Sequence, residues 1–157
     1  CGECPGGFTC DESGQCIDET FTAGNTCENP LLVETVPFLA AGDTSNDSDV
    51  YSGEDCLGLS SDAGVEGARD EVWAFTPTQS GYHLVHVNGQ DGFEPVVYLV
   101  SDCSDEAWSC LKGTDDVTMD VALDAGETYF IVVDGGYAED GSAEAVDGGY
   151  VLEVTLP

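Results

Sequence analysis

Residues 129–133 read Tyr-Phe-Ile-Val-Val, and residues 96–100 read Val-Val-Tyr-Leu-Val. Both runs are apolar at every position, whereas a strand with one face in water alternates apolar and polar residues. A short unbroken apolar run is typical of a central strand that is covered on both faces. We therefore expect these two segments to lie in the interior of a β-sheet.

Two further segments, 117–123 and 150–156, carry apolar side chains at every second position, and residues such as Asp120 and Glu153 occupy the positions between. This alternation indicates half-buried strands. The candidate strands are 31–40, 71–76, 82–88, 95–101, 117–123, 128–134 and 150–156. Turns rich in glycine and aspartate separate several of them, which predicts an all-β fold: an antiparallel β-sandwich of the jelly-roll or Greek-key type.

The charge of the chain excludes several classes of function. Its 157 residues include 32 acidic and only 2 basic side chains, which gives a formal net charge of −30 at pH 7. Arg69 and Lys112 cannot form the positive footprint that nucleic-acid binding requires. The chain also contains no apolar run of about 20 residues that would span a membrane. Self-repulsion of such an acidic surface is unfavourable unless salt or bound cations relieve it.

The eight cysteines indicate an oxidising, exported location. Four of them fall within residues 1–20 among Gly, Pro and Asp, in a segment too poor in apolar residues to fold without cross-links. We predict a disulfide-rich knot over 1–20, a linker over 21–29 and a β-sandwich over 30–157. No signal peptide is visible, so we expect a mature or excised form in which Cys1 is a processed terminus. The alternative is that Cys1 carries a lipid.

The cysteine spacings favour disulfides over zinc or redox chemistry, because the Cys1-Gly-Glu-Cys4 motif lacks the positive neighbours that activate a thiol. The four cysteines of the knot allow three pairings, which the sequence leaves open. Cys103 and Cys110 bracket a short loop that closes readily. That pair would leave Cys27 to bond with Cys56.

One acidic segment has the spacing of a calcium loop. Asp43, Asp47, Asp49 and Glu54 occupy positions one, five, seven and twelve of an EF-hand pattern, but Ser48 stands where glycine is required and neither flank is helical. We therefore expect a Ca²⁺ site of another geometry, since Ca²⁺ takes about six to eight oxygen ligands. The alternative is a set of solvated acidic loops.

Other carboxylates extend this hypothesis. Asp70 and Glu71 come just before a predicted strand, where a loop would bring them beside the 43–54 segment. A second acidic, glycine-rich loop contains Asp134, Glu139, Asp140 and Asp147.

Seven motifs occur in an order that resembles the bacterial pre-peptidase C-terminal (PPC-like) domains, as found in secreted multi-domain proteins of myxobacteria and their marine relatives. Two of them carry most of the resemblance: Arg-Asp-Glu-Val-Trp-Ala-Phe-Thr-Pro at 69–77 and Ala-Gly-Glu-Thr-Tyr-Phe-Ile-Val-Val-Asp-Gly at 125–135. The others lie at 25–30, 42–44, 80–82, 98–103 and 149–155.

The resemblance covers about residues 25–157 and implies a β-sandwich, an extracellular location, frequent Ca²⁺ binding and a non-catalytic accessory role. Related domains in secreted peptidases bind matrix such as collagen, or aid secretion and folding. Residues 4–10 resemble the short Cys-Pro-x-Gly-x-x-Cys pieces that often precede such domains. Analogy with those pieces favours the pairs Cys1–Cys10 and Cys4–Cys16.

Nothing in the sequence indicates catalysis. His83 and His86 are the only histidines, and three positions apart on a strand they point to opposite faces, so they cannot hold one ion together. We expect both at surface or edge positions. No zinc-protease, nucleophile-elbow or phosphate-loop motif occurs. We predict that the protein is not an enzyme.

The sequence thus predicts an extracellular or cell-surface, Ca²⁺-stabilised sandwich that binds a protein or polysaccharide partner. Trp73, Trp108 and Tyr137 are candidate contact residues, although we expect Trp73 to fill the core instead. The alternative is a structural subunit of an extracellular filament or surface coat, in which copies of the chain assemble head to tail.

Overall fold

The computed structural model describes residues 8–10, 16–18, 23–51, 53, 56, 68–103, 109–114, 116–137 and 145–157. Thirteen strands occur in these residues: β1 Phe8–Cys10, β2 Cys16–Asp18, β3 Leu31–Val33, β4 Phe38–Asp43, β5 Asp70–Phe75, β6 Gly81–Gly89, β7 Val96–Val100, β8 Cys110–Thr114, β9 Thr118–Leu123, β10 Tyr129–Asp134, β11 Gly136–Tyr137, β12 Ala145–Val146 and β13 Gly149–Thr155. A short 3₁₀ helix at Thr44–Asn46 follows β4. In this part of the chain no helix is long and apolar enough to cross a membrane.

The larger strands form two sheets that pack face to face. One has five strands in the order β3-β5-β10-β7-β8, and the other has four in the order β4-β13-β6-β9. Every pairing within them is antiparallel except that of β3 with β5. Two small hairpins, β1-β2 and β11-β12, complete the described structure. The predicted β-sandwich is therefore confirmed.

Side chains from both sheets meet in the main core. Trp73, Leu99 and Ile131 of the five-stranded sheet belong to the same buried cluster as Val85 and Leu152 of the four-stranded sheet. In β9 and β13 buried and more exposed residues alternate, as expected for strands with one face in water.

The five-stranded sheet is also covered on its outer face. A second cluster contains Val72, Tyr98 and Val132 from the sheet, together with Tyr51 and Cys56 from the connection between β4 and β5. Every residue of β7 is buried as a result. The prediction that 96–100 and 129–133 are interior strands is confirmed.

The pairing of the four described cysteines differs from the prediction. Cys27 bonds to Cys103 and Cys56 bonds to Cys110, with Cα atoms 6.0 and 5.5 Å apart. The predicted pairs Cys27–Cys56 and Cys103–Cys110 are wrong, because long-range packing over the outer face, and not loop length, brings these residues together. Cys110 pairs with Val100 in the ladder, so it lies on the face where Cys56 is buried.

The predicted pairs Cys1–Cys10 and Cys4–Cys16 lie outside the described side chains. The division into knot, linker and sandwich stays a prediction.

In the two large sheets, the strands differ from the prediction in two places. The segment 31–40 forms two strands in different sheets, β3 and β4, separated by residues 34–37 with a cis peptide bond before Pro37. Pro37 has no amide hydrogen to donate to a ladder, which favours a break there. Strand β8 was missed because Lys112 and Gly113 interrupt any apolar alternation.

The two histidines point to opposite faces, as predicted, but His83 is not a surface residue. It is only 2% exposed, and its ring packs edge-on against Phe75 with the ring centroids 5.3 Å apart. His86 lies on the other face, where Nδ1 is 2.6 Å from Thr118 Oγ1. His83 shares its face with Val85 and Val87, and that face is the core side of β6.

We expect the Cys56–Cys110 bond, which joins two cysteines of the outer cluster, to contribute strongly to the stability of the protein. Replacing both cysteines with alanine should lower the free energy of unfolding by about 2–4 kcal/mol, chiefly because the unfolded chain loses a constraint. Urea unfolding of the variant and the unaltered protein measures this difference. Peptide mapping without reductant should recover 27–103 and 56–110 linkages; recovery of a 103–110 linkage would contradict the structure.

Candidate functional site

The acidic segment after β4 crosses from one sheet to the other at one end of the sandwich. Asp43 caps the 3₁₀ helix, since its Oδ1 accepts a hydrogen bond from Ser45 N at 2.9 Å. Ser48 N donates to Asn25 Oδ1 at 2.6 Å, and the Ser48 carbonyl accepts from Asp70 N at 3.2 Å. These bonds hold the segment against the end of β5.

Asp70 and Glu71, the first two residues of β5, point to opposite faces of the sheet. Glu71 shares its face with Trp73 of the main core, whereas Asp70 shares its face with Val72 of the outer cluster. The sequence prediction places both side chains beside the 43–54 segment, and both carboxylates accept hydrogen bonds from amides of that segment. They do so from opposite faces of β5, which divides the acidic residues into an inner group around Glu71 and an outer group around Asp70.

The inner group is centred on the Glu71 carboxylate, which is only 7% exposed. Its Oε2 accepts hydrogen bonds from Tyr150 OH and, at 3.2 Å, from Asp43 N. Trp73 Nε1 in turn donates to Tyr150 OH at 2.6 Å. Burial raises the pKa of Glu71, while the bonds from Tyr150 and Asp43 oppose that shift. This network ties β5 to β4 and β13 across the sandwich.

A glycine on β4 makes this arrangement possible. A Cβ atom at Gly42 would collide with the Glu71 carboxylate and the Tyr150 ring. An open pocket of about 390 Å³ lies beside Glu71. We call it the Asp47 pocket. It is lined by Ala23, Ala41, Gly42, Asp43, Asn46, Asp47 and Glu71.

Asp47 lies in the wall of this pocket and is only 9% exposed. Among the described residues, no donor gives its carboxylate a hydrogen bond. Burial, and then the charges of Glu71 and Asp43, raise the pKa of Asp47 to about 7, while Arg69 opposes the shift. The Arg69 guanidinium is itself engaged, because Nη1 donates to the Ser45 carbonyl and Nε lies 3.7 Å from Asp147 Oδ2.

The outer group contains a pair of fully buried aspartates. Asp134, at the end of β10, stands directly opposite Asp70 in the antiparallel ladder, so both side chains lie on the outer face. Asp70 Oδ2 accepts from the amides of Val50 and Tyr51 at 2.8 and 2.9 Å. Tyr98 OH lies 3.4 Å from Asp134 Oδ2.

The second oxygen of each carboxylate receives no hydrogen bond from the described residues. These atoms, Asp70 Oδ1 and Asp134 Oδ1, are both buried. Burial raises the pKa of Asp70 to about 7, against the two amide bonds. Burial, and then the charge of Asp70, raise the pKa of Asp134 to about 9. An unpaired buried oxygen costs about 1–3 kcal/mol, and more when it is charged, so this pair requires a proton or a cation at neutral pH.

Five of the six predicted metal ligands lie in the described structure, and they fall into the two groups. Asp43, Asp47 and Glu71 lie in the inner group, while Asp70 lies in the outer group with Asp49 close enough for its charge to act on it. In the described parts of the chain, no three carboxylate, imidazole or thiolate side chains converge on one point.

Several predicted residues fall elsewhere. Glu54, Glu139, Asp140 and Trp108, and the side chain of Tyr137, lie outside the described structure. Trp73 is only 5% exposed and fills the core, as expected.

The sequence reading missed the pairing of Asp134 with Asp70. It had placed Asp134 in the second acidic loop, with Asp147, whose Oδ1 accepts from Arg69 N at 2.7 Å. Asp70 lies near the start of the 69–77 motif and Asp134 near the end of the 125–135 motif. Pairing those two strands in register would have brought the carboxylates together, but no local pattern fixes which strands are neighbours.

Comparisons with known proteins agree with the fold. No family model matches the chain, and no curated protein matches it. One solved structure that resembles it is the pre-peptidase C-terminal domain of a collagenase from Bacillus anthracis, with 12% sequence identity over 80% of this chain and 94% of that one, and a TM-score of 0.47. That domain belongs to the family that the sequence motifs resemble.

Another is PliG from Aeromonas hydrophila, a periplasmic inhibitor of g-type lysozyme, with 10% identity over 82% of this chain and 96% of that one, and a TM-score of 0.50. This likeness supports the β-sandwich architecture.

The raised pKa of Asp134 predicts a specific pH dependence in buffer free of divalent cations. Because the folded state retains a proton that the unfolded state releases above pH 3.8, stability is greatest at low pH and falls as the pH rises toward about 9. Asp134→Asn removes that charge, so the melting temperature of the variant should fall less steeply across this range. Glu127→Gln, at an exposed site, is the matched control, and equal slopes in all three proteins would contradict the assignment.

Proposed function

We propose that this protein is an exported, non-catalytic β-sandwich module that binds a protein or polysaccharide partner and whose acidic end is stabilised by Ca²⁺. The observation that carries the calcium part is the pair of buried, unpartnered oxygens of Asp70 and Asp134. Two buried carboxylates that are direct neighbours in the ladder, each with one oxygen that no described donor reaches, are a favourable setting for a hard cation.

The outer group offers the type of ligand that Ca²⁺ prefers, namely carboxylate oxygen. Asp70 and Asp134 would hold the ion, and Asp49 would add negative charge, since its carboxylate already raises the pKa of both residues. Ca²⁺ takes about six to eight oxygens and accepts carboxylates, backbone carbonyls and water in varied geometry. Two carboxylates supplemented by such oxygens satisfy this requirement without a third converging side chain.

A non-catalytic role is supported by where the two histidines lie. His83 is buried against Phe75 and His86 faces the opposite side of β6, so the two do not share a site. A sandwich of this fold acts as a lysozyme inhibitor in Aeromonas hydrophila. The fold is therefore compatible with a protein partner.

Export is supported by the two disulfides that cross-link the outer cluster, because such bonds persist in oxidising compartments. We place the protein outside the cell or on its surface. The alternative of a filament subunit stays a prediction; self-repulsion at a net charge of −30 opposes it unless cations screen the copies from one another.

Calcium should raise the thermal stability of the protein. If Ca²⁺ is present at about 100 times its dissociation constant, linkage stabilises the folded state by about 2.7 kcal/mol. The melting temperature should rise with CaCl₂, fall again with chelator, and respond far less to NaCl of equal ionic strength. The double variant Asp70→Asn/Asp134→Asn should lose the response, whereas Glu127→Gln should keep it. An equal rise with NaCl, or a response retained by the double variant, would refute the calcium site.

The binding role predicts a saturable, calcium-dependent interaction of the full chain with a surface polymer or secreted protein. Glycan arrays and immobilised extracellular matrix proteins, each probed with calcium and with chelator, measure it. We expect at least one target whose binding is weakened when chelator loosens the acidic end. Absence of calcium-dependent binding across both panels would count against an adhesive or binding function.

A further inference from the structure

The Asp47 pocket lies on the inner side of the acidic end and is separate from the proposed calcium pair. Glu71 forms part of its lining, and Asp70 points to the opposite face of β5. A ligand in this pocket would therefore contact Asp43, Asp47 and Glu71 without touching the Asp70–Asp134 pair.

Asp47 is the feature of the pocket that points to a ligand. Its side chain is more than nine-tenths buried, lines the pocket and receives no hydrogen bond from the described residues. A carboxylate that is deeply set in an open pocket and lacks a protein donor is well placed to accept charge-assisted hydrogen bonds from a ligand that enters the pocket. Arg69 does not fill this role, since its guanidinium bonds to the Ser45 carbonyl and lies beside Asp147.

The lining favours an organic cation over a metal ion. The three carboxylates of its lining, Asp43, Asp47 and Glu71, do not converge on one point in the described structure. A guanidinium group presents five donors spread over a plane, so it can bond carboxylates that are too far apart to share one ion. The pocket, at about 390 Å³, is far larger than a bare ion needs, and Ala23, Ala41 and Gly42 leave small, uncharged walls for an aliphatic stem.

We propose that the Asp47 pocket binds the guanidinium group of an arginine on a basic protein partner. The group would form charge-assisted hydrogen bonds to Asp47 and to its neighbours Asp43 and Glu71, and its methylenes would lie along the alanine side of the pocket. The net charge of −30 favours encounter with a basic partner. This inference rests on the proposed binding function and names the chemistry of the partner.

The test uses N-acetyl-L-arginine methylamide as the probe and the citrulline counterpart as its neutral analogue, with CaCl₂ held constant. Two-dimensional NMR of the ¹⁵N-labelled full chain follows the titration. We expect saturable shifts of amides in residues 41–48 with the arginine probe and none with citrulline. Asp47→Asn should weaken binding by about tenfold, which corresponds to about 1.4 kcal/mol, while Glu127→Gln, which removes the same charge elsewhere, should change it by less than about twofold.

A second variant guards against an effect of Asp47→Asn on folding. Ala41→Leu keeps every carboxylate and fills the pocket from an exposed strand position, so it should also abolish the shifts. Equal shifts with citrulline, equal weakening by Asp47→Asn and Glu127→Gln, or shifts spread over the whole acidic surface would overturn the pocket. Such a failure, alongside intact calcium stabilisation and partner binding in the earlier assays, would leave the proposed function standing.

Discussion

The constraint on which this end of the molecule depends is the burial of two carboxylates side by side. Asp70 begins β5 and Asp134 ends β10, and the register of these central strands sets them opposite one another with no exposed surface. One oxygen of Asp70 holds the amides of Val50 and Tyr51, and Tyr51 in turn covers the outer face of the sheet. Whatever neutralises this pair therefore also fixes the loop that closes the end of the sandwich.

The acidic residues that give the net charge of −30 lie in two different environments, one exposed and one buried. Acids such as Asp120 and Glu153 lie on the open face of the four-stranded sheet, where water solvates them. Asp47 after β4, Asp70 and Glu71 at the start of β5, and Asp134 at the end of β10 are instead buried. Strand β5 divides the acids of this end between its two faces, because neighbouring residues of a strand point to opposite sides. We propose a metal ion for the outer group and an arginine side chain for the inner group.

The fold was predictable where a local pattern decides the outcome. The apolar runs of β7 and β10 and the alternation in β9 and β13 identified interior and half-buried strands. Strand β8 and the disulfides of Cys27 and Cys56 depend on which strands become neighbours, and no local pattern contains that information. The same limit hid the Asp70–Asp134 pair, although both residues stood out individually.

A crystal structure of the protein grown with Ca²⁺, with an anomalous difference map, tests the central claim most directly. The account predicts a peak in contact with both Asp70 Oδ1 and Asp134 Oδ1, at about 2.3–2.6 Å from each. A map with no peak there, in which the two carboxylates instead lie within hydrogen-bonding distance of each other and share a proton, would contradict it.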